Sequence, residues 1–252
     1  MKRILLIAIA AFALVGGSAA RAVPVDLELA LLVDVSGSVN TTEYNLQKTG
    51  YVNAFQNASI QNLIAGLPGG IAVTYIEWSG ATQQSQLVGW SQLTDAASSN
   101  AFASAIASSS RAFSGLTAPG SAINYAVPMF SQNGYEGSRW VIDVSGDGSQ
   151  NDGANTASAR NSALANGVNA INGLPILGSE ANLAAWYQNN IVGGTGSFLI
   201  AANSFADFQN AVYQKLYREI SGGDVPEPSS LGMLGFGLAA LAGFVALRRR
   251  MI

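Results

Sequence analysis

The sequence predicts an α/β domain in which helices cover both faces of a doubly wound, mostly parallel six-stranded sheet with an antiparallel edge strand. Three observations predict it. Apolar runs without in-out alternation suit strands buried on both faces. Helical patterns alternate with those runs, as parallel strands joined by right-handed crossovers require. One link between strands is too short to hold a crossover helix.

The elements follow in order. Leu27–Val33 is apolar apart from Glu28 and reads as the first strand. Thr42–Asn57 reads as a helix, with Asn40 placed to cap it and Glu43 three residues on, the spacing of a capping box. Gly70–Glu77 is β-branched and aromatic, the second strand. Gln86–Trp90 follows after eight residues, so it must turn back as the antiparallel edge. Asp95–Ser109 is Ala-rich and helical, and a shorter helix covers Ser121–Phe130. Arg139–Val144, Val168–Leu174 and Gly196–Ala201 complete the six strands. Helices over Ala154–Asn166 and Glu180–Asn189 separate them, and Ser204–Ile220 closes the fold with Phe205, Phe208, Val212, Leu216 and Ile220 on one stripe. Residues 23–222 form one domain, long enough to bury a full core.

The two ends read as sorting signals. Lys2 and Arg3 precede twelve apolar residues, Ile4–Val15, and then small residues that suit a peptidase, so 1–22 is a signal peptide. Twelve are too few to span a bilayer. At the other end a linker, 223–230, carries Val225-Pro226-Glu227-Pro228. Seventeen apolar residues, Leu231 to Leu247, follow, and a basic tail, 248–252, holds Arg248, Arg249 and Arg250. At about 1.5 Å per residue the apolar run reaches roughly 25 Å, marginal for a span, with the arginines on the cytoplasmic side. This order resembles the PEP-CTERM sorting signal of Gram-negative bacteria. The resemblance implies an exosortase-type processing enzyme as partner, transient anchoring, and a final place at the cell surface or in the extracellular matrix. A plain tail anchor is the alternative.

Composition excludes several chemistries. The chain has no Cys and no His, and only 11% of its residues are charged, against about 25% in a typical domain. Disulfides, thiolate sites, zinc–histidine sites and Ser-His-Asp triads are therefore absent. Residues 23–224 carry six cations against fourteen acids, a net of −8, which argues against nucleic acid or anionic lipid as partner. Carboxylates, hydroxyls and amides remain, the ligands of hard cations.

One constellation fits that chemistry. The first strand runs into Asp34-Val35-Ser36-Gly37-Ser38, whose oxygen-bearing side chains alternate and so share one side of an extended chain. The fourth strand ends in Gly146-Asp147-Gly148. First and fourth strands are neighbours in a doubly wound sheet, and ligands bind at the crevice between their carboxyl ends. Asp34 and Asp147 should face each other there, and the loop 115–120 could add the hydroxyl of Thr117.

Asp34-x-Ser36-x-Ser38, Thr117 and Asp147 in this order resemble the metal-ion-dependent adhesion site of von Willebrand factor type A domains. Ala72–Gly80 and Val141–Gly148 are closer still to a bacterial family of type A-like domains. The resemblance implies the type A version of the Rossmann-like fold. It also implies a divalent cation (Mg²⁺ first, Mn²⁺ or Ca²⁺ otherwise) held by Asp34, Ser36, Ser38, Thr117 and Asp147. An acidic group of a protein or exopolysaccharide partner would take the open position. The expected function is a non-enzymatic, metal-dependent binding module.

Two alternatives stand beside it. One is a carboxylate-based hydrolase of matrix polysaccharide that pairs Glu77 with Asp143 or Asp147; the other is a structural matrix protein stiffened by the metal. Asp143 lies in an apolar run and reads as a structural acid. Asp147-x-Ser149-x-Asn151 hints at a calcium loop, but Asp152 stands where an EF-hand needs Gly, and Ser158 where it needs Glu. The tryptophans 78, 90, 140 and 186 read as core before they read as a carbohydrate platform.

Overall fold

The structure is a computed structural model and describes residues 21–178 and 180–223. The Pro-Glu-Pro segment, the apolar run 231–247 and the basic tail lie outside the described residues, as does the signal peptide apart from residues 21 and 22. In chain order the elements begin with β1 (Val23–Val25), β2 (Leu27–Asp34), α1 (Thr41–Gln56), α2 (Ala58–Ala65), β3 (Ile71–Trp78) and β4 (Gln84–Leu93). They continue with α3 (Ala96–Ser108), α4 (Pro119–Phe130), β5 (Tyr135–Gly137), β6 (Trp140–Gly146) and α5 (Thr156–Ala165). The last are β7 (Ala170–Pro175), α6 (Leu183–Asn190), β8 (Gly193–Gly194) and, after a 3₁₀ turn at Phe205–Asp207, α7 (Phe208–Ser221).

Six strands form the main sheet in the order β4-β3-β2-β6-β7-β8. The inner four are parallel, and β4 is the antiparallel edge that the short link demands. Every residue of β2 and β3 is buried. Their unbroken apolar runs are explained by helices on both faces. On one face Tyr51, Phe55, Phe102 and Phe208 from α1, α3 and α7 cover Leu29, Leu31 and Tyr75. On the other, Ile123, Phe130, Ala159 and Tyr187 from α4, α5 and α6 cover Leu32, Ile76 and Val144. Each large apolar side chain among these contributes about 1.5–3 kcal/mol by leaving water. Gly50 lets α1 approach α7, because a Cβ there would lie 2.8 Å from the Phe208 ring.

Three elements differ from the sequence reading. The sixth strand is Gly193–Gly194, antiparallel to β7. The apolar run 196–201 meets β7 further along the same edge, at the isolated parallel bridge of Gly173 with Leu199, while the two glycines pair with Ala170 and Ile171. The first helix ends at Gln56, and Asn57 then caps α2 through its side chain on Ser59 N at 2.8 Å. A small parallel pair, β1 with β5, closes the amino end of the main sheet. The capping box at Asn40 and Glu43 forms as its spacing predicts.

Both ends of the described chain lie at the amino end of β2. Val23 pairs with Tyr135, and Arg139, just before β6, donates to the Glu219 carbonyl in the last turn of α7 at 2.8 Å.

Candidate metal centre

The site forms where β2 and β6 end side by side. Asp34 closes β2, and its Oδ1 accepts the Ser36 backbone N–H at 2.7 Å, which turns the chain toward the α1 cap. Ser36 Oγ lies 3.1 Å from Ser38 Oγ, and Ser38 Oγ donates to Asp147 Oδ1 at 2.7 Å. Four of the five residues singled out by sequence are thereby brought together. Thr117 sits one loop away, its Oγ1 3.9 Å from the point where a Cβ on Gly148 would stand.

The polar stretch after Asp147 explains how Thr117 is held. Asn151 Oδ1 accepts the Thr117 N–H at 2.8 Å, and Asn151 N and Asp152 N donate back to the Thr117 carbonyl at 3.0 and 3.2 Å. Asp152 Oδ2 accepts Ala81 N–H at 2.7 Å. These side chains stitch loops together, which accounts for their resemblance to a calcium loop without its Gly and Glu.

Gly146 is fixed by crowding. A Cβ there would stand 2.6 Å from Asp34 Oδ2 and 2.7 Å from the Tyr187 hydroxyl. Asp34 Oδ2 is buried and has no hydrogen-bond partner among the described residues. Burial pushes the Asp34 carboxyl up to about 7; the Asp147 carboxylate adds to this, and the Ser36 N–H and Arg111 oppose it. Burial also raises Asp147, helped by Glu43 and Glu180 and opposed by the Ser38 hydroxyl.

An orphaned, buried carboxylate oxygen beside a second acid and two linked hydroxyls is a donor set short of positive charge. It fits a hard divalent cation. Among the described residues no three His, Cys, Asp or Glu side chains gather as a metal-holding group. The fit therefore rests on two carboxylates supplemented by hydroxyls.

Sequence reasoning missed Glu180, Tyr187 and Arg111. Glu180 Oε2 accepts Ser149 N–H at 2.7 Å and so borders the Asp147 loop. A lone acid at the start of an expected helix gave no signal of this. Burial, then the Asp34 carboxylate, hold the Tyr187 hydroxyl well above its ordinary pKa, so it stays protonated beside the site.

Glu77 and Asp143 of the hydrolase alternative stand on opposite sides of β2. Glu77 pairs in register with Val33, and its Oε2 accepts Ala112 N–H at 2.8 Å. Asp143, opposite Leu31 on the far side of β2, is buried against Lys215 Nζ at 2.7 Å, which also reaches Glu219 at 2.6 Å. Asp143 is thus part of the packing of α7, in keeping with the structural reading. Trp78 is fully buried, and Trp90 and Trp140 both pack on Phe130.

Comparison with known families places the chain. The profile of a family described as a protein of unknown function, DUF1194, matches residues 24–224. The chain belongs to that family. A PEP-CTERM protein-sorting motif matches 224–250 and implies an exported protein processed by an exosortase. No curated protein matches. Among solved structures, proximal thread matrix protein 1 from the mussel byssus superposes with a TM-score of 0.59 at 13% identity, over 80% of this chain and 48% of that one. A form of that protein with a zinc-occupied MIDAS motif gives 0.56 at 18% identity, over 77% and 45%. The pilus adhesin SpaC of Lactobacillus rhamnosus GG gives 0.58 at 17%, over 79% and 31%. A von Willebrand factor type A protein from Catenulispora acidiphila gives 0.54 at 12%, over 77% and 43%. The fold of the DUF1194 domain is that of von Willebrand type A domains. The chain spans less than half the length of each of these structures. Among the described residues no helix is long and apolar enough to cross a membrane.

Proposed function

We propose that this DUF1194 protein is a surface or matrix binding module whose 23–222 domain holds a divalent cation, Mg²⁺ first, through Asp34, Ser36, Ser38, Thr117 and Asp147. The observation that carries the reading is the buried Asp34 Oδ2, left without a donor next to Asp147. When bound, the cation would offer one coordination position to an acidic oxygen of a protein or exopolysaccharide partner. The chain's own residues do the rest. Ser38 orients Asp147 Oδ1, the Ser36 N–H orients Asp34 Oδ1, and Gly146 gives the second Asp34 oxygen room. The adhesin and matrix proteins of like fold, one with a zinc-occupied MIDAS motif, support the same reading. In this proposal 1–22 is removed on export, 223–230 links to the sorting helix 231–247, and the tail 248–252 stays cytoplasmic until processing in a Gram-negative envelope.

Calorimetric titration of the purified protein with Mg²⁺, Mn²⁺ and Ca²⁺ tests it. One saturable site that disappears in Asp34→Ala and Asp147→Ala is expected. Absence of binding in the unaltered protein would overturn the reading. EDTA-sensitive stability without any partner would favour the stiffened matrix protein, and reducing ends released from exopolysaccharide would favour the hydrolase.

A further inference from the structure

We infer that Arg111 is the positioning residue of the cation centre: its guanidinium fastens the Asp34–Ser38 loop to the segment that carries Thr117. The inference rests on the cation reading above. Residues 109–118 contain no helix or strand, so their place is set by individual contacts. Arg111 Nη2 donates to the carbonyls of Val35 at 2.8 Å and Ser36 at 2.9 Å, while its Nε donates to the Phe113 carbonyl at 2.8 Å. The guanidinium carbon lies 5.6 Å from the centre of the Tyr44 ring, which backs it from α1. Beside this fork, Gly37 N–H donates to the Gly115 carbonyl at 2.7 Å, and Ala112 N–H and Gly115 N–H bind Glu77 Oε2 and Ser79 Oγ. Two loops bearing proposed ligands are thereby locked to each other and to the end of β3.

The placement is costly by simple electrostatics. Arg111 lowers the proton affinity of Asp34, but the same positive charge repels a divalent cation in the same loop. A basic side chain so near a cation site needs a compensating gain, and its donors show one. They address main-chain carbonyls of the ligand loops, a planar fork that a lysine ammonium cannot reproduce. Residues that orient metal ligands in this way are typically worth 10- to 100-fold in affinity.

Charge and geometry predict opposite signs, so two substitutions separate them. The full chain is titrated with Mn²⁺ and the free ion is read by electron paramagnetic resonance, alongside melting curves in EDTA. Arg111→Lys keeps the charge and loses the fork; Arg111→Met loses both. Arg139→Lys is the control, since Arg139 also donates to a main-chain carbonyl, at the opposite end of the sheet. The expected result is a loss of about 10- to 100-fold in Mn²⁺ affinity for both Arg111 variants, with Arg139→Lys binding as the unaltered protein does. Unchanged affinity in Arg111→Lys, or tighter binding in Arg111→Met, would overturn the positioning role while leaving the cation site intact. Equal affinity losses in Arg111→Lys and Arg139→Lys would also overturn it, by showing general destabilisation. Failure of the unaltered protein to bind Mn²⁺ would instead remove the cation reading itself, and the inference with it.

Discussion

Strand β2 carries a buried carboxylate at each end, and the two are treated in opposite ways. At the amino end Glu28 Oε1 accepts Gly137 N–H at 2.6 Å and the Trp140 indole N–H at 3.0 Å, while its Oε2 accepts the Asn133 amide. At the carboxyl end Asp34 accepts one N–H on Oδ1, faces Asp147, and keeps Oδ2 without a partner among the described residues. A buried polar group left unpaired costs about 1–3 kcal/mol, and more when charged. The fold therefore completes Glu28 from its own donors and leaves Asp34 short. Burial alone does not separate these two acids; the supply of donors does, together with the second carboxylate that faces Asp34.

Substitutions can break this contrast. The largest effect is expected at the Asp34 end: Asp34→Asn or Asp147→Asn removes half of the carboxylate charge and should weaken Mg²⁺ binding more than about 100-fold, as calorimetry would show. Without metal, Asp34→Asn should melt no lower than the unaltered protein at pH 8, because it relieves a buried repulsion. Glu28→Ala should do the reverse. It strands three donors and should lower stability by about 2–4 kcal/mol in urea melts, with Mg²⁺ affinity unchanged. If Glu28→Ala altered affinity instead, the two ends would not be independent.

The pH dependence sharpens the comparison. The Asp34 carboxyl titrates near 7 in the fold against an ordinary 3.8. The folded chain thus holds a proton that the unfolded chain has released, and stability should fall as pH rises from about 4 through 7. Asp143, also raised to about 7 by burial despite Lys215, adds a fall of the same sign. Melting temperatures in EDTA should therefore decline across that window, and Asp34→Asn should flatten the decline. An unchanged slope in that variant would assign the effect to the other buried carboxyls that are raised, Asp143, Asp147 and Glu77. Asn151→Ala should give the smallest effect, roughly 1 kcal/mol or a several-fold loss of Mg²⁺ affinity, by releasing the Thr117 N–H.

The features legible in the sequence are those whose cause is local. Continuous apolar runs placed β2, β3, β6 and β7, and the alternation at Asp34, Ser36 and Ser38 with Asp147 at the end of β6 pointed to residues that the fold brings close together. Features set by partners distant in sequence were hidden. The run 196–201 looks like a strand, but it touches β7 only at an isolated bridge, and the ladder on that edge is made by glycines 193 and 194. Arg111 and Glu180 are isolated charges whose neighbours are decided only when the loops converge. Asn57 serves as the end of α1 and the cap of α2, and the short helix Ala58–Ala65 that it starts is absent from the sequence reading.

Both ends of the described chain leave from the amino end of β2, and the loops of the candidate site occupy its carboxyl end. Eight residues of strand separate the two, about 26 Å at 3.3 Å per residue. A partner gripping the loops while the chain is held from residue 224 would therefore pull along the strands and the axis of α7. Such a load shears the β2–β3 and β2–β6 ladders along their length, straining many hydrogen bonds at once rather than peeling them singly. It also draws on the buried Asp143–Lys215 contact that keys α7 to β6. On the proposed function, the strands would lie along the line of tension between the anchored end and the partner.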